Sequence, residues 1–451
     1  MPAIPSAKLE HFEPPVPLTQ RRIFKFFLPL ALSWIFMAFE APIAHGFIGR
    51  LPNAEINLAA WYLIFTVALW VESPVIDLLA TSTTLSKNHQ HYVTITRFTQ
   101  LLMLWASVIH AIFALPPVFD FIMITLLNAD PRVAAAGHTA FAIMIPWSAL
   151  IGWRRYLQGI LIRYDMTRWV GYGTAVRVCT VFLTGGGLYM WSALGGAEVA
   201  AIAIVASVGA ECLFAHIASR PAVSKHLAKD APTQESPLTF AKLARFHLPL
   251  TATTMIMMLA FPLIGRALNE APDRVESLAA WNITIGLLFM MRSITFALTE
   301  VVITLADSER SIRQLRRFCL YVGLFMTVLL GIVTATHLDE NYFRGVIQAP
   351  LAIAVTAHVG VMAALFTPFI GAVQSYVRGM LTAQHLTASR LTAVVVGTLV
   401  LAAMLLVGVR LGWPGMINAG AAITVSMAAE LAILGWSWTV GSKRRGEPAT
   451  I

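Results

Sequence analysis

The chain has 451 residues, of which 57% are hydrophobic and only 12% charged. Soluble domains carry about twice that share of charge, and stretches of roughly 20 apolar residues recur here, each long enough to cross a bilayer as a helix. A soluble globular protein is therefore excluded, and the net charge of +9 reads as basic loops beside membrane spans, which calls for no nucleic-acid partner.

The first 20 residues are polar and carry Pro2, Pro5, Pro14, Pro15 and Pro17. With no apolar core they are not a cleaved signal peptide, and they read as a cytoplasmic N-terminal tail. Lipid offers the backbone no hydrogen-bond partner, so the spans must be helices. Six are predicted at about 26–48, 57–82, 98–115, 134–162, 169–192 and 196–219, and six more at about 240–265, 277–305, 318–337, 350–380, 390–411 and 415–441. The expected organisation is a tail (1–25), an N-lobe (26–219), a cytoplasmic linker (220–239), a C-lobe (240–441) and a cytoplasmic C-terminal tail (442–451). The fold class is an all-α polytopic membrane protein, with 12 transmembrane helices as two parallel 6-helix repeats.

The repeat is read directly from the residues. Phe26, Leu28, Pro29 and Leu30 return as Phe246, Leu248, Pro249 and Leu250, Pro42 as Pro262, and Leu58–Ala59–Ala60–Trp61 as Leu278–Ala279–Ala280–Trp281. Thr84–Leu85 matches Thr304–Leu305, Arg97–Phe98 matches Arg317–Phe318, and Tyr156, Gly159, Leu161 and Thr167 match Tyr376, Gly379, Leu381 and Thr387. Every spacing is 220. So many matches at one shift mark a duplication, and many transporters place a site between two such halves. An even number of spans per copy makes the copies parallel.

Basic residues set the expected orientation. Arg50, Arg132, Arg266, Arg274, Arg344 and Arg410 fall on one side, and Arg154, Arg155, Arg177, Arg292 and Arg378 fall within spans. The other 21 of the 32 Lys and Arg residues share the side of both termini, which is therefore expected to be cytoplasmic.

Ionisable residues at membrane depth are costly and tend to face a cavity or a partner. The first copy has Glu40, Glu72, Asp77, Arg154, Arg155, Arg177 and Glu211. The second has Arg292, Glu300, Arg378 and Glu430. Pro42 removes a backbone donor and loosens the helix near Ala38 and Phe39, which makes Glu40 a candidate proton or cation site. Pro74 and Pro262 are the other candidate kinks. Glu72 and Arg292 are equivalent in the repeat, so a twofold axis along the membrane normal would let them face each other as a gate or a fixed pair, or let each line the central cavity. Glu300 lies eight residues after Arg292, within about 80° on a helix, which suggests one cavity wall. Arg177 is expected to meet an anionic substrate or Glu211. Arg154, Arg155 and Arg378 lie nearer the cytoplasmic ends of their helices and are expected to snorkel toward the headgroups, the alternative being a substrate contact, above all for Arg378. The candidate substrate and ion site is therefore Glu40, Glu72, Asp77, Arg177, Arg292 and Glu300, with no catalytic residue.

Cys179, Cys212 and Cys319 have neither disulfide nor zinc spacing. His110, His138, His216 and His358 read as packed neutral side chains, and His89 and His91 lie in a loop without further ligands. No metal site or cofactor is expected, beyond H+ or Na+ as a coupling ion.

Three stretches resemble a known family. They are Phe27–Leu28–Pro29–Leu30 with Phe39–Glu40, then Leu58–Ala59 with Pro74, Asp77 and Ser86–Lys87, then Pro146 with Gly159–Ile160–Leu161 and Arg163. With the six-plus-six pattern they resemble the MATE-type fold of the multidrug/oligosaccharidyl-lipid/polysaccharide exporter (MOP) superfamily, and within it the progressive ankylosis protein family. The resemblance is strongest over the first 170 residues and fixes the fold better than the cargo. It implies export of small anions such as pyrophosphate, nucleotide phosphates or citrate, and marks Glu40, Pro74 and Asp77 as family-like positions. The chain departs from the family in its short first external loop and few lysines.

The expected function is a secondary active transporter exporting a small organic or phosphate-bearing anion by alternating access. The alternatives are H+- or Na+-coupled efflux of organic cations and flipping of a lipid-linked precursor. No Walker loop, His-Glu-x-x-His helix or large catalytic loop points to an enzyme or an ATP-driven pump. The lipid bilayer and a small-molecule substrate are the expected partners, and the chain is expected to act as a monomer in a bacterial inner membrane.

Overall fold

The computed structural model describes residues 18–228, 237–306, 308–383 and 388–445. Most of the proline-rich tail, the middle of the inter-lobe linker and the end of the C-terminal tail lie outside the described residues. Among the described residues twelve helical spans follow in order. In the N-lobe these are α1 (Gln20–Gly49), α2 (Ala54–Leu85), α3 (His89–Phe113), α4 (Pro131–Ile143 and Trp147–Arg163), α5 (Thr167–Trp191) and α6 (Gly196–His226). In the C-lobe they are α7 (Phe240–Leu268), α8 (Arg274–Leu305), α9 (Glu309–Ala335), α10 (Leu351–Ala363 and Thr367–Ala383), α11 (Ala388–Arg410) and α12 (Gly415–Arg445). The described residues contain no strand.

Among the described residues nine spans, three of them interrupted at one residue, are long and apolar enough to cross a membrane, and two, α4 and α10, are pairs bent by 46° and 44°. The twelfth, α5, carries Arg168, Arg177 and several Gly and Thr residues, which dilute its apolar character. Most helices begin before the expected positions, and several helix starts carry side-chain caps. Thr19 accepts from the Arg22 amide and its repeat twin Thr239 from Lys242, while Asn88 accepts from His91 and its twin Ser308 from Ser311. Such caps satisfy backbone donors that the helix leaves open.

The duplication extends to kinks and contacts. α1 breaks at Phe39 and α7 at Leu259, three residues before Pro42 and Pro262, each of which lacks the N–H that would bond back into the turn. α2 breaks at Asp77, just after Pro74. α8 has Ile294 at that position and runs unbroken. Gly159 and Gly379 both let a helix approach closely. A methyl group would lie 2.6 Å from Leu79 O in the first lobe and 2.7 Å from Val302 in the second.

Contacts between the lobes are reciprocal, as a twofold relation requires. Phe27 of α1 meets Phe318 of α9 edge-on at 5.2 Å and 77°. The equivalent residues, His247 of α7 and Phe98 of α3, meet at 5.2 Å and 82°. The start of each lobe's first helix thus packs on the opposite lobe. One apolar core carries Ile23, Phe27 and Ala31 against Leu298, Val301, Leu315 and Phe318. His247 Nε2 donates to Pro74 O at 2.9 Å, and Thr81 Oγ1 donates to His247 Nδ1 at 2.9 Å.

The bundle has a terminal end, carrying the starts of α1 and α7, and a far end. The far end is sealed across the lobes. Leu58, Trp61 and Tyr62 share a buried core with Leu278 and Trp281. Asn282 Nδ2 donates to Leu58 O at 3.0 Å, Tyr62 Oη to Phe261 O at 3.0 Å, and Asn269 Nδ2 to Leu127 O at 2.6 Å. Arg50 Nη1 donates to Val346 O at 2.8 Å. Gly49 sits so close to Ile347 that a methyl group there would lie 2.0 Å from its carbonyl oxygen.

Toward the terminal end α2 and α8 separate, while the starts of α1 and α7 stay packed on the opposite lobe. Along one face of α2, Leu58 and Tyr62 are buried, Leu69 and Ile76 partly buried and Ala80 exposed. α8 repeats the gradient at Leu278, Asn282, Phe289, Phe296 and Glu300. Steps of four and seven residues keep these positions on one helix face. α2 and α8 therefore touch at the far end and diverge into a wedge that opens toward the termini.

An ionic latch closes the far end outside the spans. Asp130, the N-cap of α4, accepts from Arg132 at 2.8 Å and 3.2 Å and from Arg274 of the other lobe at 3.0 Å. Hydrogen bonds from Arg132, reinforced by the charge of Arg274, hold the Asp130 carboxyl down at about 2. A lowered carboxyl pKa stabilises the folded contact above the ordinary carboxylate range, and that contribution is lost as pH falls through about 2. Acidification from pH 7.5 to pH 5 is therefore expected to leave this latch intact. Asp130→Asn is expected to speed amide exchange at Ala54–Leu58 and Arg274–Leu278 at either pH. Loosening of the wild type at pH 5 to the level of the variant would contradict this.

Candidate substrate and ion site

The buried charges collect in two clusters, one inside each lobe and both beside the wedge. In the N-lobe the break in α1 turns Glu40 inward, and Arg177 of α5 grips it with two hydrogen bonds, Nε to Oε1 at 2.8 Å and Nη2 to Oε2. Ser207 of α6 donates to Glu40 at 3.2 Å. Glu211, one turn further along α6, accepts from Arg154 at 2.7 Å and from Gln158 at 3.0 Å, and lies 3.7 Å from Arg177. Glu72 of α2 is buried and its Oε2 has no hydrogen-bond partner. Arg154, Arg155, Arg177 and Glu40 are the charges acting on it. Three carboxylates and three guanidiniums thus share one low-dielectric compartment, where removing one partner strands a charge.

The C-lobe carries a reduced copy. Glu430 of α12 accepts from Arg378 and, at 3.3 Å, from Gln374, both on α10. At the 220 spacing Arg154 corresponds to Gln374 and Gln158 to Arg378, so arginine and glutamine have exchanged places. The acid is the same residue in both lobes. α6 begins at Gly196 and α12 at Gly415, so the equivalence has shifted to 219, and Glu211 falls on Glu430. Glu40 and Arg177 correspond to Ala260 and Gly397, and Glu72 to Arg292. The N-lobe cluster is formally neutral, whereas the C-lobe cluster of Arg292, Arg378 and Glu430 keeps one surplus positive charge.

Arg292 is that surplus. It is half-buried, its Nε is enclosed without a partner, and its guanidinium lies 5.9 Å from the centre of the wedge-lining Phe296 ring. Of the charges acting on it, Arg378 repels and Glu430 is already bonded to Arg378.

Several expectations need correction. Glu72 and Arg292 do not meet across the axis, because each points into its own lobe, where the other arginines and acids lie. Arg177 is held first by Glu40 and only secondarily by Glu211. Arg154 and Arg378 do not snorkel; both pair with glutamates inside the bundle. Arg155 is partly buried, with its Nε enclosed and unpartnered. Asp77 accepts from Thr254 of α7 at 2.8 Å, at the docking of α7 on the α2 kink rather than in either cluster. Glu300 is exposed at the mouth of the wedge, where its backbone carbonyl accepts from Thr304 at 2.8 Å. His110 donates to Phe141 O at 3.1 Å and His138 to Ala114 O at 2.9 Å, as packed histidines do. His358 instead faces Asp339 at 2.8 Å.

Gln158, Gln374 and Ser207, which complete the clusters, and His247, which docks α7, are not among the residues expected from sequence. The signal was present at the repeat spacing, as an exchange of Arg for Gln rather than an identity.

No protein-family profile and no curated protein sequence matches the chain. Solved structures do. The chain is similar to an inward-facing multidrug resistance MATE family transporter of the MOP superfamily, with 14% identity and a TM-score of 0.70 over 94% of this chain and 99% of that one. The chain has the MATE fold. It is also similar to the lipid II flippase MurJ in an inward closed conformation, with 12% identity and a TM-score of 0.68 over 92% and 87% of the two chains. An outward-facing MATE family transporter aligns with 15% identity and a TM-score of 0.63 over 94% and 97%.

Proposed function

We propose that the protein is a secondary active transporter that moves a small organic or phosphate-bearing anion between its lobes by alternating access, with H+ or Na+ as the coupling ion. The observation that carries this reading is Arg292, a guanidinium beside the wedge whose local field is a second arginine and an acid already in use. A site with surplus positive charge at membrane depth favours an anion over an organic cation. The unpartnered carboxylate oxygen of Glu72, in the balanced N-lobe cluster, supports coupling there. A proton or Na+ on Glu72 would change the balance of three acids against three arginines and so bias the lobes.

Positive residues crowd the terminal end, which supports cytoplasmic termini and a wedge open to the cytoplasm. The higher TM-score to an inward-facing than to an outward-facing neighbour supports the same assignment. A monomer exporting its cargo across a bacterial inner membrane, of the progressive ankylosis-like branch, completes the proposal. The motifs around Glu40, Pro74 and Asp77 support that branch.

The test is flux into sealed proteoliposomes. Labelled phosphate-bearing and carboxylate anions are offered with and without H+ and Na+ gradients, beside a lipophilic cation and a lipid-linked sugar. Saturable, gradient-driven anion flux is expected. Movement of the lipophilic cation or the lipid alone, with no anion moving, would contradict the proposal.

A further inference from the structure

The connection between α9 and α10 at the far end gathers four chemically coherent side chains. His337, Glu340 and His358 offer three ligand atoms that all lie within 4.8 Å of one another. His337 Nδ1 is 2.7 Å from Glu340 Oε1, and His358 Nδ1 is 3.8 Å from the same oxygen. The two imidazole rings are stacked at 4.9 Å and 20°. Asp339 lies behind them, fully buried, with Oδ2 2.8 Å from His358 Nδ1 and Oδ1 without any partner.

The other lobe supplies an internal control. At the repeat spacing His358 corresponds to His138, Asp339 to Phe119 and His337 to Pro117. There the histidine rests edge-on against Phe119 at 4.9 Å and donates to Ala114 O, so an apolar ring fills the buried position of Asp339, while Asp120, the twin of Glu340, is exposed. The fold at this place therefore does not require a buried carboxylate. Burying one where its twin is a phenylalanine is unfavourable unless a positive charge compensates it.

We propose that His337, Glu340 and His358 bind a divalent transition metal of the zinc class, with Asp339 orienting the His358 ring. Imidazole and carboxylate donors suit Zn2+, and a carboxylate behind a metal-bound histidine is a common second layer of such centres. His337 is 63% exposed, which leaves the site an open approach from solvent. The metal would also brace the next segment, Phe343–Ile347, whose Val346 and Ile347 close the far end against Arg50 and Gly49. Sequence spacing hides the group because His358 joins the other three only after the chain has turned into α10.

The test uses full-length, tag-free protein in detergent, titrated with Zn2+ and, for its visible absorption, with Co2+. About one metal per chain is expected, with Co2+ bands of a low-coordinate nitrogen–oxygen site and a rise in Tm on adding Zn2+. His337→Ala removes a mostly exposed side chain with its contacts to Glu340 and His358, so it is expected to abolish the bands and the Tm rise while lowering the apo Tm only slightly. Asp339→Asn is expected to weaken binding about 10- to 100-fold, as losses of orienting partners do. His138→Ala is expected to bind as the wild type does. No binding by the wild type, or binding unchanged in His337→Ala, would overturn the proposal.

Discussion

Replacing Glu211 by Ala is expected to destabilise the protein more than any other single change in either cluster. Glu211 is buried, accepts from Arg154 and Gln158, and faces Arg177. Its loss leaves Arg154 without its partner and Arg177 with Glu40 alone. Breaking a buried pair from one side costs about 3–5 kcal/mol. The repeat suggests a sharper experiment. Gln374 and Arg378 hold Glu430 with the arginine and glutamine positions exchanged, so the double variant Arg154→Gln/Gln158→Arg rebuilds in the N-lobe what the C-lobe already uses. Arg154→Gln alone is expected to lower Tm, and adding Gln158→Arg to restore most of the loss. Thermal unfolding of the four proteins in one detergent measures the coupling between the two positions. Strict additivity of the two substitutions would contradict the proposed equivalence of the lobes.

Replacing Arg292 by Gln is expected to remove anion transport while leaving the fold intact. Its Nε bonds no carboxylate, so the substitution strands no acid, and it relieves repulsion from Arg378. Loss of one partner of a buried charged contact with a ligand costs about 2–5 kcal/mol, or about 30- to 5,000-fold in affinity. Arg292→Lys keeps the charge but loses the planar fork and is expected to fall between. Flux at low and saturating anion concentrations separates lost affinity from lost turnover. Wild-type flux in Arg292→Gln would remove the anion site from the wedge.

Much of the fold was legible because it follows from solvent and repetition. Apolar stretches give the spans, and one constant spacing gives the two parallel lobes. Pro42 and Pro262 mark the paired breaks in α1 and α7, and Pro74 marks the break that α8 lacks. The site was less legible for identifiable reasons. Glu40 and Arg177 lie 137 residues apart and meet only through the packing of α1 on α5. Pairing Glu72 with Arg292 assumed that equivalent helices present equivalent side chains to each other, whereas each charge turns into its own lobe. A fixed shift of 220 also missed Glu211 and Glu430, because the last helices are related by 219.

The central claim is that two equivalent lobes close at one end while they open at the other, and distances at both ends test it directly. Spin labels on Cys substitutions at Arg50 and Val346 report the far end, and a second pair at Ala80 and Glu300 reports the mouth of the wedge. In proteoliposomes the resting protein is expected to give a short far-end distance and a long mouth distance. Gradient and transported anion together are expected to populate the reverse combination. Active transport with both distances unchanged, or with both lengthening together, would contradict alternating access between these lobes.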